Sequence, residues 1–193
     1  VVPSGNSVKT SRLRRGSDYL EEDFYHDGTN LVNLSDVDVS TWAGGNDVYI
    51  TKLYNQSSLS GKSDLIQPDR GKQPKLDIAN MAVDFGSNAS NWYLYAEDST
   101  TILESGDDNY AYACHVKSNN DAKHQTIINF PSSTQHKRAS LILAKSAGDQ
   151  DIKFVGGSSD TPYSDSFSYD FKWSENTDHN IVMSVDNSNT NNV

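Results

Sequence analysis

The chain has 193 residues, with 16 lysines and arginines against 26 aspartates and glutamates, so its formal net charge at pH 7 is −10. Its 3 tryptophans, 10 tyrosines and 6 phenylalanines supply apolar bulk that a disordered acidic chain lacks, and its length suits one larger domain or two small ones. The negative charge repels phosphate backbones, and no basic cluster is larger than Arg12, Arg14 and Arg15. We therefore expect a folded protein that does not bind nucleic acid.

Membrane insertion and disulfide crosslinking are also disfavoured. No stretch approaches the roughly 18 consecutive apolar residues of a membrane span. The single cysteine, Cys114, cannot form an intramolecular disulfide or a thiolate metal cluster. Apolar neighbours at alternate positions favour a buried thiol over a reactive one.

A short helix near residues 35–43 is the first element that the pattern predicts. Ser35 and Asp38 have the spacing of a Ser-x-x-acid N-terminal cap, and Gly44 and Gly45 would end the helix after Trp42. A loop is the alternative, because the valine, serine and threonine residues of this stretch are poor helix formers.

The other predicted elements are β-strands with alternating apolar and polar residues. The clearest strand, at residues 167–173, places three aromatic residues and Trp173 on one face. Further strands are predicted at residues 48–53, 81–85, 92–95, 110–116, 125–130, 139–145, 152–155 and 181–185. About nine strands separated by Gly, Asn, Asp and Ser clusters predict an all-β antiparallel sandwich.

The predicted domain has two parts, and the pattern at its C-terminal end predicts a strand without a partner. Residues 1–45 form a lead-in segment that carries the short helix and packs on the sandwich of residues 46–193. The Asn- and Ser-rich stretch 186–192 is typical of a hairpin turn whose second strand is missing. Because an unpaired strand exposes backbone hydrogen-bonding groups, we expect a continuing chain or another chain to complete the sheet.

Four stretches in order resemble the motif series of a β-sandwich family. They are RLRRGSD at residues 12–18, VYITKLYNQS at 48–57, QPKL at 73–76, and AVDFGSN with WYL at 82–88 and 92–94. The series resembles that of concanavalin A-like (laminin-G-like) jelly rolls in bacteriophage virion proteins and in arabinofuranosidase B-type glycoside hydrolases. Asn55 and Ser58 depart from it, since the family pattern has an acid and a glycine there.

The resemblance implies a concanavalin A-like jelly roll in a structural or adhesive virion protein: a head decoration, fibre or tail component. Such a module would lie on the virion surface, contact other virion chains or copies of itself, and bind host glycans. The alternative is the N-terminal part of a secreted arabinofuranosidase-type glycosidase. Most motif residues suit a scaffold role, because the amide and hydroxyl groups that follow Tyr54 are placed to satisfy backbone groups where a strand leaves the sheet.

Catalytic chemistry is weakly supported. Glycoside hydrolysis needs two carboxylic acids that flank the scissile bond. None of the glutamates has the apolar surroundings that raise a carboxyl pKa; they are Glu21, Glu22, Glu97, Glu104 and Glu175. We assign no catalytic residue and favour a protein that is not an enzyme.

Calcium is the one cofactor that the sequence leaves open, and no metal site is assigned. The five histidines lack the spacing of zinc ligands. Acids in loops or at strand ends suit a hard cation, although surface acids are common in an acidic protein; they are Asp36, Asp38, Asp84, Asp107 and Asp108.

The candidate ligand site is an aromatic cluster. Trp92, Tyr93 and Tyr95 offer faces on which sugar rings stack, and Asn88 and Asn91 offer amides for hydroxyl groups. Adjacent Trp92 and Tyr93 cannot both point inward on a strand, so at least one faces out. The alternative is that the outward ring packs beneath a neighbouring loop.

Overall fold

The computed structural model describes residues 8–56, 63–86, 92–96, 109–118, 125–130, 138–146, 149–157 and 166–186. These residues form antiparallel β-sheets with one short α-helix and one 3-10 turn, which confirms the all-β prediction. The jelly-roll topology stays a prediction. The chain divides into two compact units, Val1–Glu104 and Ser105–Val193.

The first unit contains eight described strands. In chain order its elements are β1 (Lys9–Arg15), β2 (Glu21–His26), β3 (Leu31–Val32), α1 (Val39–Ala43), β4 (Val48–Leu53), β5 (Leu65–Ile66), a 3-10 turn (Arg70–Lys72), β6 (Lys75–Asp77), β7 (Ala82–Asp84) and β8 (Tyr95–Ala96). Six strands form a sheet in the order β3-β2-β1-β4-β5-β8, and β6 pairs with both β4 and β7.

The core of the first unit brings α1 against β1, β2 and β4. Its buried members are Leu13, Phe24, Val39, Trp42, Ala43, Val48 and Ile50. The rings of Phe24 and Trp42 meet edge to face with centroids 5.1 Å apart, a geometry that adds attraction to the burial of apolar area. Because side chains alternate along β4, Tyr49 points away from this core, between Val48 and Ile50.

Helix α1 confirms the predicted helix, but the predicted N-cap is wrong. Asp38, not Ser35, caps the helix: its carboxylate accepts hydrogen bonds from the backbone N–H of Thr41 at 2.9 Å and from the Thr41 hydroxyl at 2.6 Å. Ser35 instead lies in a preceding turn, where its N–H donates to Asn33 Oδ1 at 3.0 Å. Gly44 ends the helix with a φ of +57°, which glycine adopts without steric cost.

Five strands of this unit, β1, β2, β3, β5 and β6, were not predicted, because β1 and β2 do not alternate and the other three have only two or three residues. Strand β1 buries the polar residues Ser11 and Arg14, and β2 buries the adjacent residues Phe24 and Tyr25. A bulge also interrupts the pairing of β1 with β2, which breaks the two-residue period. Strands β3 and β5 have two residues each, too few to show a period.

The second unit contains β9 (Asn109–Lys117), β10 (Gln125–Phe130), β11 (Arg138–Ser146), β12 (Asp149–Gly157), β13 (Ser166–Lys172) and β14 (Asp178–Asp186). Strands β10 to β13 pair antiparallel in chain order, and β14 pairs with β9. All six strands predicted for this part of the sequence are confirmed, since each predicted range lies within one of these strands or extends one residue past it.

The last strand finds its partner earlier in the chain. The sequence led us to expect that strand 181–185 lacked a neighbour, whereas β14 pairs with β9 along its whole length, with Ile181 opposite Cys114. Ile181 is half-buried and Val182 is exposed, which confirms the predicted alternation there. The hairpin turn predicted for residues 186–192 lies outside the described residues after Asp186.

Candidate functional site

Two exposed tyrosines form a paired aromatic surface in the first unit. Tyr93 and Tyr95 are 43% and 40% exposed, and their ring centroids lie 6.1 Å apart with the planes tilted by 42°. Trp92 is half-buried, so the prediction that at least one of the adjacent rings faces out is confirmed. Asn88 and Asn91, the amides expected beside these rings, lie outside the described residues.

The predicted strand at residues 92–95 is wrong except at its end, because β8 begins at Tyr95. Tyr93 makes its backbone hydrogen bonds outside the strand ladder. Its N–H donates to the carbonyl of Lys72 at 3.1 Å, and its carbonyl accepts from Gln67 Nε2 at 3.0 Å. These two bonds hold Tyr93 beside the 3-10 turn, which ends at Lys72.

Two buried glutamines link Tyr93 to strand β1. Gln73 Nε2 donates to the carbonyl of Gln67 at 2.8 Å, and Gln73 Oε1 accepts from Arg14 Nε at 2.6 Å. Hydrogen bonds between buried groups are strengthened by the low local dielectric. A chain of hydrogen bonds therefore runs from Arg14 through Gln73 and Gln67 to Tyr93.

Arg14 is the centre of an alternating series of cations and tyrosine rings. Its guanidinium carbon lies 4.3 Å from the ring centroid of Tyr49 and 5.5 Å from that of Tyr19. The Tyr19 ring also lies 4.5 Å from the guanidinium carbon of Arg70, and the Tyr49 ring lies 5.7 Å from Lys75 Nζ. We call these five residues the cation–tyrosine row.

Strand register and one turn build the cation–tyrosine row. Arg14 on β1 pairs with Tyr49 on β4, which pairs with Lys75 on β6, and directly opposed residues share a face of the sheet. Tyr19 lies in the turn between β1 and β2 with a φ of +62°. Its N–H donates to the carbonyl of Arg15 at 3.0 Å, which closes the turn beside Arg14.

The three cations of the row differ in their ion pairing. Arg14 is 3% exposed and Arg70 is exposed, and among the described residues neither forms an ion pair. Lys75 differs, because its Nζ lies 2.7 Å from Asp47 Oδ2. Burial lowers the pKa of Arg14, but a guanidinium still carries its charge at neutral pH.

The Asp23 carboxylate, which lies beside the motif residue Arg12, has a structural role. It accepts hydrogen bonds from Lys9 Nζ at 2.7 Å, Arg12 Nε at 2.8 Å and the Tyr54 hydroxyl at 2.7 Å. Burial alone would raise the pKa of Asp23, but hydrogen bonds from Arg12, Lys9 and Tyr54 outweigh burial and hold that pKa well below its usual range. Burial and the bond to Asp23 raise the pKa of Tyr54 to about 12.

Other motif residues connect strands with turns and with helix α1. Arg15 donates to both carboxylate oxygens of Asp18, at 3.0 and 2.7 Å, and to the carbonyl of Trp42 at 2.6 Å. Gln56 Nε2 donates at 2.8 Å to the carbonyls of both Lys9 and Tyr54. The prediction that amides after Tyr54 satisfy backbone groups is confirmed at Gln56.

Of the acids considered for calcium, Asp38 and Asp84 have other partners, and Asp36 lies in an exposed turn with a φ of +63°. Asp38 caps α1, and Asp84 Oδ1 accepts from the N–H of Gly86 at 2.7 Å. Asp107 and Asp108 fall outside the described ranges. Among the residues that the structure does describe, no three His, Cys, Asp or Glu side chains gather at one point.

The thiol and the glutamates offer little chemistry in the described part of the chain. Cys114 is half-buried, and burial raises the pKa of its thiol, which disfavours the reactive thiolate. Glu22 Oε2 accepts from Asn33 Nδ2 at 2.6 Å. Glu97 and Glu104 lie outside the described residues.

The sequence did not identify the cation–tyrosine row. Arg14 was singled out only as part of a motif, and Tyr19, Tyr49 and Arg70 were not considered for binding. The abundance of tyrosine was the one available signal. It does not indicate which rings meet which cations.

Comparisons with protein-family models, with curated proteins and with solved structures gave no match. In the described part of the chain, no helix has the length and apolar character needed to cross a membrane.

Proposed function

We propose that this chain is a structural, adhesive module of a bacteriophage-like particle, and that it binds host glycans through Tyr93 and Tyr95. The observation that carries the glycan part is the exposed pair of rings, with centroids 6.1 Å apart. Aromatic faces provide apolar contact to sugar rings, while neighbouring polar groups bind the hydroxyls.

The anchoring of Tyr93 supports this proposal. Its two backbone hydrogen bonds, to Lys72 and Gln67, hold the residue in place before a ligand arrives. A surface that is already ordered loses less conformational entropy on binding. Exposed aromatic rings on an ordered segment are therefore better suited to recognition than to packing.

The particle part is supported by the order of the four motif stretches and by the antiparallel β-architecture. In this proposal, the module lies on the virion surface as a head decoration, fibre or tail component, and its partners are other virion chains or copies of itself. This part is independent of Tyr93 and Tyr95, and it has its own test.

A glycan array probed with the full chain tests the binding surface. We expect at least one class of glycan to be bound, and we expect Tyr93→Ala and Tyr95→Ala each to weaken that binding about tenfold, because each substitution removes one stacking face. Circular dichroism of each variant would verify that the fold is retained.

Phe85→Ala is the matched control. Phe85 is an exposed aromatic residue of the same unit, and the loss of its ring leaves Tyr93 and Tyr95 in place. Absence of glycan binding by the unaltered chain, or equal losses in the control and the tyrosine variants, would contradict the glycan part.

An antibody raised against the chain should label purified particles in electron microscopy, and unlabelled particles would contradict the particle part.

A further inference from the structure

We propose that the glycan recognised by this module is acidic, and that its carboxylate is bound by Arg70, near the buried guanidinium of Arg14. This inference rests on the proposed glycan-binding function and names the chemical class of the glycan. Tyr93 and Tyr95 would contact a sugar ring of the same oligosaccharide.

Tyr95, one member of the aromatic pair, shares a face of the sheet with Arg14. Arg12 pairs with Lys52, and Lys52 pairs with Ile66. Ile66 in turn pairs with Tyr95. Directly opposed residues share a face, so Tyr95 lies on the face of Arg12. Arg14 lies on the same face because it follows Arg12 by two positions on β1.

The 3-10 turn connects the contact of Arg70 with Tyr19 to the contact of Lys72 with Tyr93. Arg70, at its start, lies against the ring of Tyr19, and Lys72, at its end, places Nζ 5.9 Å from the ring centroid of Tyr93. The backbone of Lys72 also holds Tyr93. Cation and stacking surface thus belong to one connected structure, and a ligand that used both would be an oligosaccharide.

The charge arrangement favours an anion. The guanidinium carbons of Arg14 and Arg70 both lie near the Tyr19 ring, 5.5 and 4.5 Å from its centroid. Like charges repel at such distances, and a buried guanidinium has lost hydration. Glu21 is opposite Arg14 in the strand register, but it is exposed and forms no ion pair with Arg14. An anion at Arg70 would offset the repulsion between the two guanidinium groups.

A carboxylate suits this site because the planar guanidinium donates two parallel hydrogen bonds to it. A uronic acid combines such a group with a sugar ring that stacks on tyrosine. The net charge of −10 opposes an acidic ligand at long range. At physiological ionic strength, however, exposed charges are screened beyond about 8 Å, so the nearby cations dominate at contact.

Titration calorimetry of the full chain with an oligogalacturonate and with its methyl ester tests the inference. The two probes share their sugar rings and differ in charge. We expect the acid to bind about tenfold more tightly than the ester, because hydrogen bonds between charged partners are stronger. We expect Arg70→Gln to remove this preference and to leave ester binding unchanged.

Lys117→Gln is the matched control, because it removes one exposed positive charge from the second unit and should retain the preference. Equal binding of acid and ester by the unaltered chain would overturn the inference and leave glycan binding intact. A preference that survives Arg70→Gln would overturn the assignment to Arg70. If the array identifies only neutral glycans, the inference of an acidic ligand fails, but the proposed glycan binding stands. If neither the array nor the titration detects binding, the proposed glycan binding fails as well.

Discussion

The three arginines of β1 are stabilised in three different ways. Arg12 binds the Asp23 carboxylate, and Arg15 binds Asp18 and the carbonyl of Trp42. Arg14 is the most buried of the three, and its partners are Gln73 and two tyrosine rings. Cation–ring contacts contribute about 0.5 to 2 kcal/mol each. In the described part of the chain, Arg14 is thus held by neutral groups.

Asp23→Asn should lower the free energy of unfolding by about 2 kcal/mol. The charged acceptor of hydrogen bonds from Lys9, Arg12 and Tyr54 is lost, and such bonds contribute more than neutral ones. Urea unfolding followed by fluorescence would measure the change. Asp47→Asn is the matched control, since it removes one exposed ion pair to Lys75 and should cost below about 1 kcal/mol. Equal losses in the two variants would contradict the role assigned to Asp23.

The same carboxylate gives the fold a pH dependence with a defined sign. The folded-state pKa of Asp23 is depressed below the value of about 3.9 for an unfolded aspartate. Its contribution to stability is therefore complete above that pH and is lost as the pH falls through the folded-state pKa. Urea unfolding at several pH values below about 4 should accordingly show a shallower loss of stability in Asp23→Asn than in the unaltered chain.

Helix α1 illustrates how an element of five residues is stabilised. An isolated helix of this length would not form in water, because nucleation is unfavourable. Asp38 satisfies the first N–H groups, Gly44 adopts the left-handed C-terminal conformation, and Val39 and Trp42 are buried in the core. Local capping and core packing therefore act together on this element.

Asp38→Ala should destabilise the first unit by about 1 kcal/mol, the usual cost of an N-cap lost to alanine. Ser35→Ala is the matched control and should change stability by only a few tenths of a kcal/mol, because Ser35 is exposed and does not cap the helix. Thermal unfolding by circular dichroism would measure both variants. A larger loss for Ser35→Ala would instead support the N-cap that the sequence pattern indicated.

Stability in the first unit of the chain depends on a small apolar core. Phe24 lies at its centre with an exposure of 0%, in edge-to-face contact with Trp42. Partly buried apolar residues pack around this core, among them Leu31, Leu53 and Leu76. Polar contacts, such as those of Asp23 and the two buried glutamines, add to the apolar packing.

Phe24→Ala should lower the free energy of unfolding by about 3 to 5 kcal/mol, since it removes buried area and leaves a cavity. Phe85→Ala makes the same chemical change at a residue that is 49% exposed. It should change the free energy of unfolding by less than about 0.5 kcal/mol. Chemical unfolding of the two variants under identical conditions compares them directly. Similar losses would contradict the placement of the core.

Local sequence patterns were sufficient to predict those strands in which apolar and polar residues alternate. Strand β4 coincides with the predicted range, and the second unit contains every strand predicted there, because apolar alternation within a strand depends on neighbouring residues alone. Strands β1 and β2 were missed because buried Arg14 and the adjacent Phe24 and Tyr25 do not alternate. In the candidate site, the exposure of one ring beside Trp92 was predictable from the two faces of a strand, although Tyr93 lies just before β8.

The amino-acid sequence alone determined the all-β class, the short helix and the net negative charge, since each depends on composition or on residues close together in the chain. Only the tertiary structure decided that Arg14 contacts Tyr49, that Arg70 contacts Tyr19, and that buried glutamines connect Arg14 to Tyr93. These residues are far apart in sequence, and their contacts come from strand register and from the positions of two turns. Register depends on which face of each strand is buried and on turn geometry, so no pattern within a single strand reveals which cation faces which ring.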